Sequence, residues 1–103
     1  NICKKYPNNQ DAFFQKGVQL AELGEHKKAL DVFDDILRKF KDNVNVIYAK
    51  SRSKAALEMY PEALELLKQA VSQNPKIIRA WAKEEKIFEK LYDNDQFRKI
   101  VKL

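Results

Sequence analysis

Apolar residues recur along this chain at the spacing of helix faces. Within 60–81, Ala63, Leu66, Leu67, Ala70 and Val71 fall at i, i+3, i+4, i+7 and i+8, one side of a helix. Asn74 and Pro75 end that helix, because proline disfavours the helical conformation in the residue before it and has no N–H to donate. Upstream, Ala29, Val32, Phe33, Ile36, Leu37 and Phe40 form one stripe with Asp31, Asp34, Asp35, Arg38 and Lys39 outside it, which predicts a helix over 27–41. The pattern predicts further helices near 10–23 and over 44–58, 77–92 and 95–103. Between them stand turn and cap residues: Asn8 and Asn9, then Leu23, Gly24 and Glu25, then Asp42 and Asn43, and finally Asp93, Asn94 and Asp95. Pro61 suits the first turn of its helix, where a missing N–H costs little.

The stripes repeat. At an offset of 34 residues Leu23 aligns with Leu57, His26 with Tyr60, Ala29 with Ala63, Phe33 with Leu67 and Ile36 with Ala70. Phe13, Ile47 and Trp81 form a series at the same interval, and Pro7 lies two intervals before Pro75. A period of this size marks a stacked array of helical units, in which each unit covers the apolar face of its neighbour. Ala63 and Ala70 are places where a second helix can approach closely, and Leu67 between them is a knob that fills the gap.

At these residues the chain resembles the tetratricopeptide repeat family, which has two helices per unit, with a large residue, then Leu-Gly, then Tyr on the first and Ala, Phe, Ala and a closing Pro on the second. The resemblance implies an all-α fold, a right-handed superhelical stack of two-helix units forming one domain over 1–103. A first unit over 10–43 carries Phe13, Gly17, Leu20, Gly24, Ala29, Phe33 and Ile36, with Lys41 in place of the closing proline. A second over 44–77 carries Ile47, Ser51, Ala63, Leu67, Ala70 and Pro75, with Lys50 and Lys54 in slots that are usually apolar. A third, incomplete unit over 78–103 keeps Trp81 and Phe88, but Glu85 replaces the small glycine and Phe97 the small alanine, so its helices are expected to pack less closely or differently. Residues 1–9 are expected to close a preceding unit, with Pro7, Ile2 and Tyr6 in matching slots, which makes the chain part of a longer array.

Charge adds little direction. Twenty basic and fifteen acidic residues give a net +5, distributed as +1, +2 and +2 over 1–43, 44–77 and 78–103, with no basic arm of the kind that marks nucleic-acid binding. No run approaches the ~18 consecutive apolar residues of a membrane span, and no secretory signal peptide is visible. A single cysteine, Cys3, excludes an internal disulfide framework and points to a reducing compartment, with the cytoplasm as the default.

Candidate chemistry is sparse. His26 occupies the slot that Tyr60 fills one unit later and has no ligand-spaced partner, so it reads as a packed aromatic substitute. Asp34 and Asp35 point about 100° apart on a helix and cannot share a proton. The Asp93, Asn94, Asp95 run resembles the start of a calcium loop, yet Arg98 stands where the glycine belongs and the terminal glutamate is missing. Neither Gly17 nor Gly24 lies in a phosphate-cradling run. The expectation is a chain that is not an enzyme and takes no metal or cofactor.

What the resemblance implies instead is a protein-interaction scaffold that binds a peptide segment in a concave groove lined by the first helix of each unit. Those helices offer Phe14 and Val18, then Tyr48 and Arg52, then Arg79, Lys83, Lys86 and Lys90, each set spaced as one stripe. The expected partner is a segment of another protein with both apolar and acidic residues. Some members of the family clamp a chaperone's terminal carboxylate. Arg79 and Lys83 match the basic half of that clamp, but Phe14, Val18 and Ala49 stand where its first lysine and two asparagines belong, so no such clamp is expected. Two alternatives are an RNA-reading helical array, which the basic balance permits but the Ala, Phe, Ala, Pro slots disfavour, and self-association. The second is suggested by helix 95–103, whose apolar Phe97, Ile100, Val101 and Leu103 have no later helix to cover them.

Overall fold

A computed structural model of the protein describes residues 10–102. It contains α1 (Gln10–Glu22), α2 (His26–Lys39), α3 (Val44–Ala56), α4 (Tyr60–Gln73), α5 (Pro75–Glu84), a 3-10 helix (Lys86–Leu91) and α6 (Asp95–Val101). Among the described residues there is no strand, and no helix is long and apolar enough to cross a membrane. The proposed end of a preceding unit at 1–9, with Cys3, and the last apolar residue Leu103 lie outside the described residues.

Helices α1 and α2 pack as one antiparallel pair, α3 and α4 as a second, and α2 against α3 joins them. The 34-residue offset reappears in the backbone. Gly24 has φ +83° and Glu58 has φ +62°. The N–H of Glu25 donates to the carbonyl of Leu20 at 2.9 Å, and the N–H of Met59 to that of Lys54 at 2.9 Å. Both turns end a helix through a left-handed residue and a bond that reaches back over the last turn. Glycine fills that position without strain, whereas Glu58 holds a conformation that its Cβ disfavours.

Close approach within each pair depends on small residues. Ala29 and Ala63 are buried, as is the Leu67 knob at 0% exposure. A Cβ on Gly17 would lie 2.5 Å from the Phe33 ring. One period on, Ser51 is also fully buried, and its hydroxyl donates to the carbonyl of Ala63 at 2.9 Å. The two lysines in usually apolar slots are partly covered and paired, Lys50 with Asp34 at 2.7 Å and Lys54 with Glu62 at 2.9 Å. His26 packs half-buried as the slot predicts, its Nδ1 3.3 Å from the Ser53 hydroxyl.

From residue 74 onward the structure departs from the sequence expectation. The helix expected over 77–92 starts earlier, with Asn74 ending α4 and preceding α5 directly and Pro75 in its first turn. It also ends earlier, because Glu85 takes an extended conformation (φ −82°, ψ 113°) and a 3-10 turn follows. The position corresponds to Gly17 and Ser51, where helix meets helix, and a glutamate side chain cannot be buried there without a partner. The expected uncovered face of the last helix is a second correction. Phe97 and Val101 are both 0% exposed, and α6 packs on α4 and α5. Phe97 sits 5.6 Å from Phe88 and 5.8 Å from Tyr92, ring centre to ring centre, with Asn94 accepting from its N–H at 2.9 Å as the helix cap. A large residue in the alanine slot thus supplies its own core, which removes the reason for expecting self-association through that face.

Candidate functional site

The first helices of the successive pairs, α1 and α3, together with α5, leave an open cleft between them. Phe14 comes from α1, Asn45, Tyr48, Ala49 and Arg52 from α3, and Trp81 and Glu84 from α5, with Glu85 just beyond; they enclose about 420 Å³. Tyr48 and Arg52 are one helical turn apart, so both face the same side of α3. Tyr48 is the floor at 6% exposure, while Trp81, 5.5 Å from it, is 45% exposed and forms an accessible wall. Phe88 holds Tyr48 from below at 6.1 Å in an edge-on contact, and Phe33 supports Phe14 at 6.1 Å. Offset and edge-on ring contacts of this kind add attraction beyond area burial and hold the aromatic surface in place.

The polar part of the cleft is nearly self-compensated. Arg52 Nε lies 2.6 Å from Glu85 Oε1, both side chains half-buried, although the Nε–H is not directed along a hydrogen bond. Burial pushes the Tyr48 phenol well above its ordinary value, the nearby Glu85 adds to the shift, and Arg52 opposes it. The phenol therefore stays a neutral O–H at any physiological pH, able to donate one hydrogen bond. A smaller cavity of about 220 Å³ adjoins the cleft and contains Val18, His26 and Ser53, with Ala49 and Arg52 common to both.

Four of the eight residues singled out in the sequence, Phe14, Val18, Tyr48 and Arg52, thus meet in these two adjoining spaces. The four third-unit cations do not join them. Arg79 turns to the opposite side of α5, where its Nε donates to the carbonyl of Ile100 at 3.0 Å. Lys83 is exposed near the end of α5, and its carbonyl and that of Glu85 each lie 3.1 Å from the Tyr92 hydroxyl. Lys86 and Lys90 belong to the 3-10 helix, and Lys90 reaches Glu58 at 3.5 Å. One stripe needs one unbroken helix, and Glu85 breaks it.

Sequence reasoning missed the two residues that give the cleft its character. Trp81 shares a slot with the buried Ile47, and the spacing marks it only as a repeat position in the series Phe13, Ile47 and Trp81. The signal lay one residue away: Ala82 follows Phe14 and Tyr48 at the 34-residue offset, so the aromatic missing from that slot stands beside it as Trp81. Glu85 was visible as a packing misfit, but not as the partner of Arg52. Among the described residues no cluster of His, Cys, Asp or Glu could hold a metal ion.

A tetratricopeptide repeat family model matches residues 20–87, from the end of α1 into the 3-10 helix. No curated protein and no solved structure matches the chain. Modules of this family generally mediate protein–protein interaction and are generally non-catalytic. The matched span covers more than half of the sequence, from the end of α1 through α2, α3, α4 and α5 into the 3-10 helix, and on that ground the chain belongs to the tetratricopeptide repeat family.

Proposed function

We propose that this chain is a non-catalytic docking module that holds a segment of a partner protein in the cleft between α1, α3 and α5, with an apolar or aromatic side chain of that segment against Trp81, Tyr48 and Phe14. The observation that carries this reading is the half-exposed Trp81 fixed over a buried Tyr48 at the mouth of a preformed cavity. Accessible aromatic residues on a rigid concave surface are where binding energy concentrates, and such a surface loses little entropy on binding. Asn45 and the Tyr48 hydroxyl supply hydrogen-bonding groups beside it that can fix a peptide's orientation.

The lining charges favour a peptide over RNA at this place. One arginine, already paired, faces Glu84 and Glu85, and two carboxylates repel a phosphate backbone. The same balance gives no support to an acidic ligand here, so the segment is recognised chiefly through its apolar side chain.

Peptides selected from a random displayed library for binding to the intact chain provide the test. Trp81→Ala and Phe14→Ala should each weaken their binding, Trp81→Ala by ~2 kcal/mol or about 30-fold, with helix content by circular dichroism unchanged. Selected peptides that bind both variants as tightly as the parent chain would overturn the assignment.

A further inference from the structure

A second cleft lies away from the first, between α4, α5 and α6. It encloses about 420 Å³, with Lys68, Arg79 and Lys99 around it and Val71, Pro75 and Ile100 among its apolar surfaces. We propose that it is a second docking surface, and that its occupant is an acidic segment of another protein carrying an apolar side chain among its carboxylates. This inference does not depend on the aromatic cleft.

Charge along the sequence carries the argument. From residue 66 to 83 the chain has four basic residues, Lys68, Lys76, Arg79 and Lys83, and no acidic one; from 96 to 103 it has Arg98, Lys99 and Lys102, again with no acidic residue. These seven exceed the whole net charge of +5, so the rest of the chain, with thirteen basic and fifteen acidic residues, is slightly negative. Folding packs the two acid-free stretches together, because α6 lies on α4 and α5. Three of these seven basic residues, Lys68, Arg79 and Lys99, thereby line one cleft with no acidic residue among its lining, where their charge attracts carboxylates and speeds their encounter.

The arginine is also prepared for a ligand. Its Nε–H donates to the Ile100 carbonyl at 3.0 Å, which anchors a half-buried guanidinium between α5 and α6. That is its one hydrogen bond to the described residues, so the four remaining N–H donors are available to a carboxylate. A guanidinium already held in place loses less freedom when it binds, and its planar fork suits a bidentate carboxylate. Lys68 and Lys99 are exposed and make no ion pair with the described residues. The apolar surfaces of Val71, Pro75 and Ile100 decide between anionic partners. A nucleic-acid strand would want aromatic stacking platforms, which this cleft lacks, and a free phosphate would leave the apolar part unused. An acidic peptide with a leucine or similar residue uses both parts.

The probe is a short peptide of paired glutamates alternating with leucine, titrated to millimolar concentration into the intact, isotopically labelled chain and followed by amide chemical shifts. Shifts should centre on Val71, Ser72, Lys99 and Ile100 and diminish with added salt. Lys68→Glu combined with Lys99→Glu changes two exposed side chains and should weaken binding by about tenfold or more, while Trp81→Ala should leave it unchanged. Lys68→Ala combined with Lys99→Ala, a milder pair, should weaken it in the same direction and guards against misfolding of the reversal. The proposal falls if no shifts appear, if they centre on Tyr48 and Trp81, if the charge-reversed chain binds equally well, or if oligothymidylate or inorganic phosphate perturbs the same amides as strongly as the peptide.

Discussion

Residues 10–73 and the region after Pro75 derive from one repeating pattern and reach different structures. In the first, Gly17 and Ser51 let helices touch, Ala29 and Ala63 sit in the contact, and each pair closes through a left-handed turn at Gly24 or Glu58. In the second, Glu85 and Phe97 occupy those slots, the helix breaks, and a 3-10 turn and a short final helix rebuild the core around Phe88 and Phe97. The comparison shows that slot size decides whether a repeat keeps its geometry, and that a bulky residue in a small slot need not leave a defect. It can turn the chain and create surface, here the wall of the aromatic cleft and the far side on which Arg79 lies.

The largest effect should come from removing the replacement core. Phe97→Ala, although it restores the alanine of the earlier units, should lower unfolding free energy by ~3–5 kcal/mol because the ring is fully buried, and Leu67→Ala should cost ~2–5 kcal/mol in the regular region. Urea unfolding measures both, and a loss below ~1 kcal/mol for Phe97→Ala would mean that the last helix does not pack as described.

A smaller effect is expected at the contact in the first pair. Gly17→Ala places a methyl group against the Phe33 ring and should destabilise by ~1–3 kcal/mol, as overpacked sites do. An unchanged thermal midpoint would show that the pair can separate slightly without penalty, which would weaken the slot-size argument.

Titration separates the cleft from the rest. The Tyr48 phenol is raised above its unfolded value of about 10. Above that pH the unfolded chain releases the proton while the folded chain keeps it, so stability should fall as pH rises past about 10, by at most ~1.4 kcal/mol per pH unit for this group. Tyr48→Phe should flatten that fall, and an equal slope in the variant would contradict a buried phenol. The smallest effect concerns the turn at Glu58: Glu58→Gly should stabilise by ~0.5–1 kcal/mol, making the second turn like the first at Gly24.

Much of this was legible before any coordinates. The apolar period places α1 to α4 within two residues of their observed ends, and the 34-residue offset identifies Gly24, Ala29, Phe33 and Leu67 as structural positions. Phe14, Val18, Tyr48 and Arg52 could be assigned to facing first helices because those helices are regular. The remainder depends on contacts that spacing does not encode. Periodicity shows that Glu85 fits its slot poorly, but not that Arg52 is close enough to receive it. It shows an apolar face on 95–103, but not that α6 folds back over Phe88 and Tyr92. Arg79 and Lys83 lie one turn apart in sequence, yet the packing of α6 draws Arg79 to Ile100 and leaves Lys83 in solvent.

The central claim is that a partner segment covers the aromatic wall between α1, α3 and α5, and the single tryptophan of the chain reports on it directly. Free Trp81 is half exposed and should be readily quenched by acrylamide. On saturation with a library-selected peptide, its emission should move to shorter wavelength and its quenching constant should fall, since docking removes the indole from water. Saturating binding with unchanged Trp81 emission and unchanged quenching would place the ligand elsewhere and contradict the account.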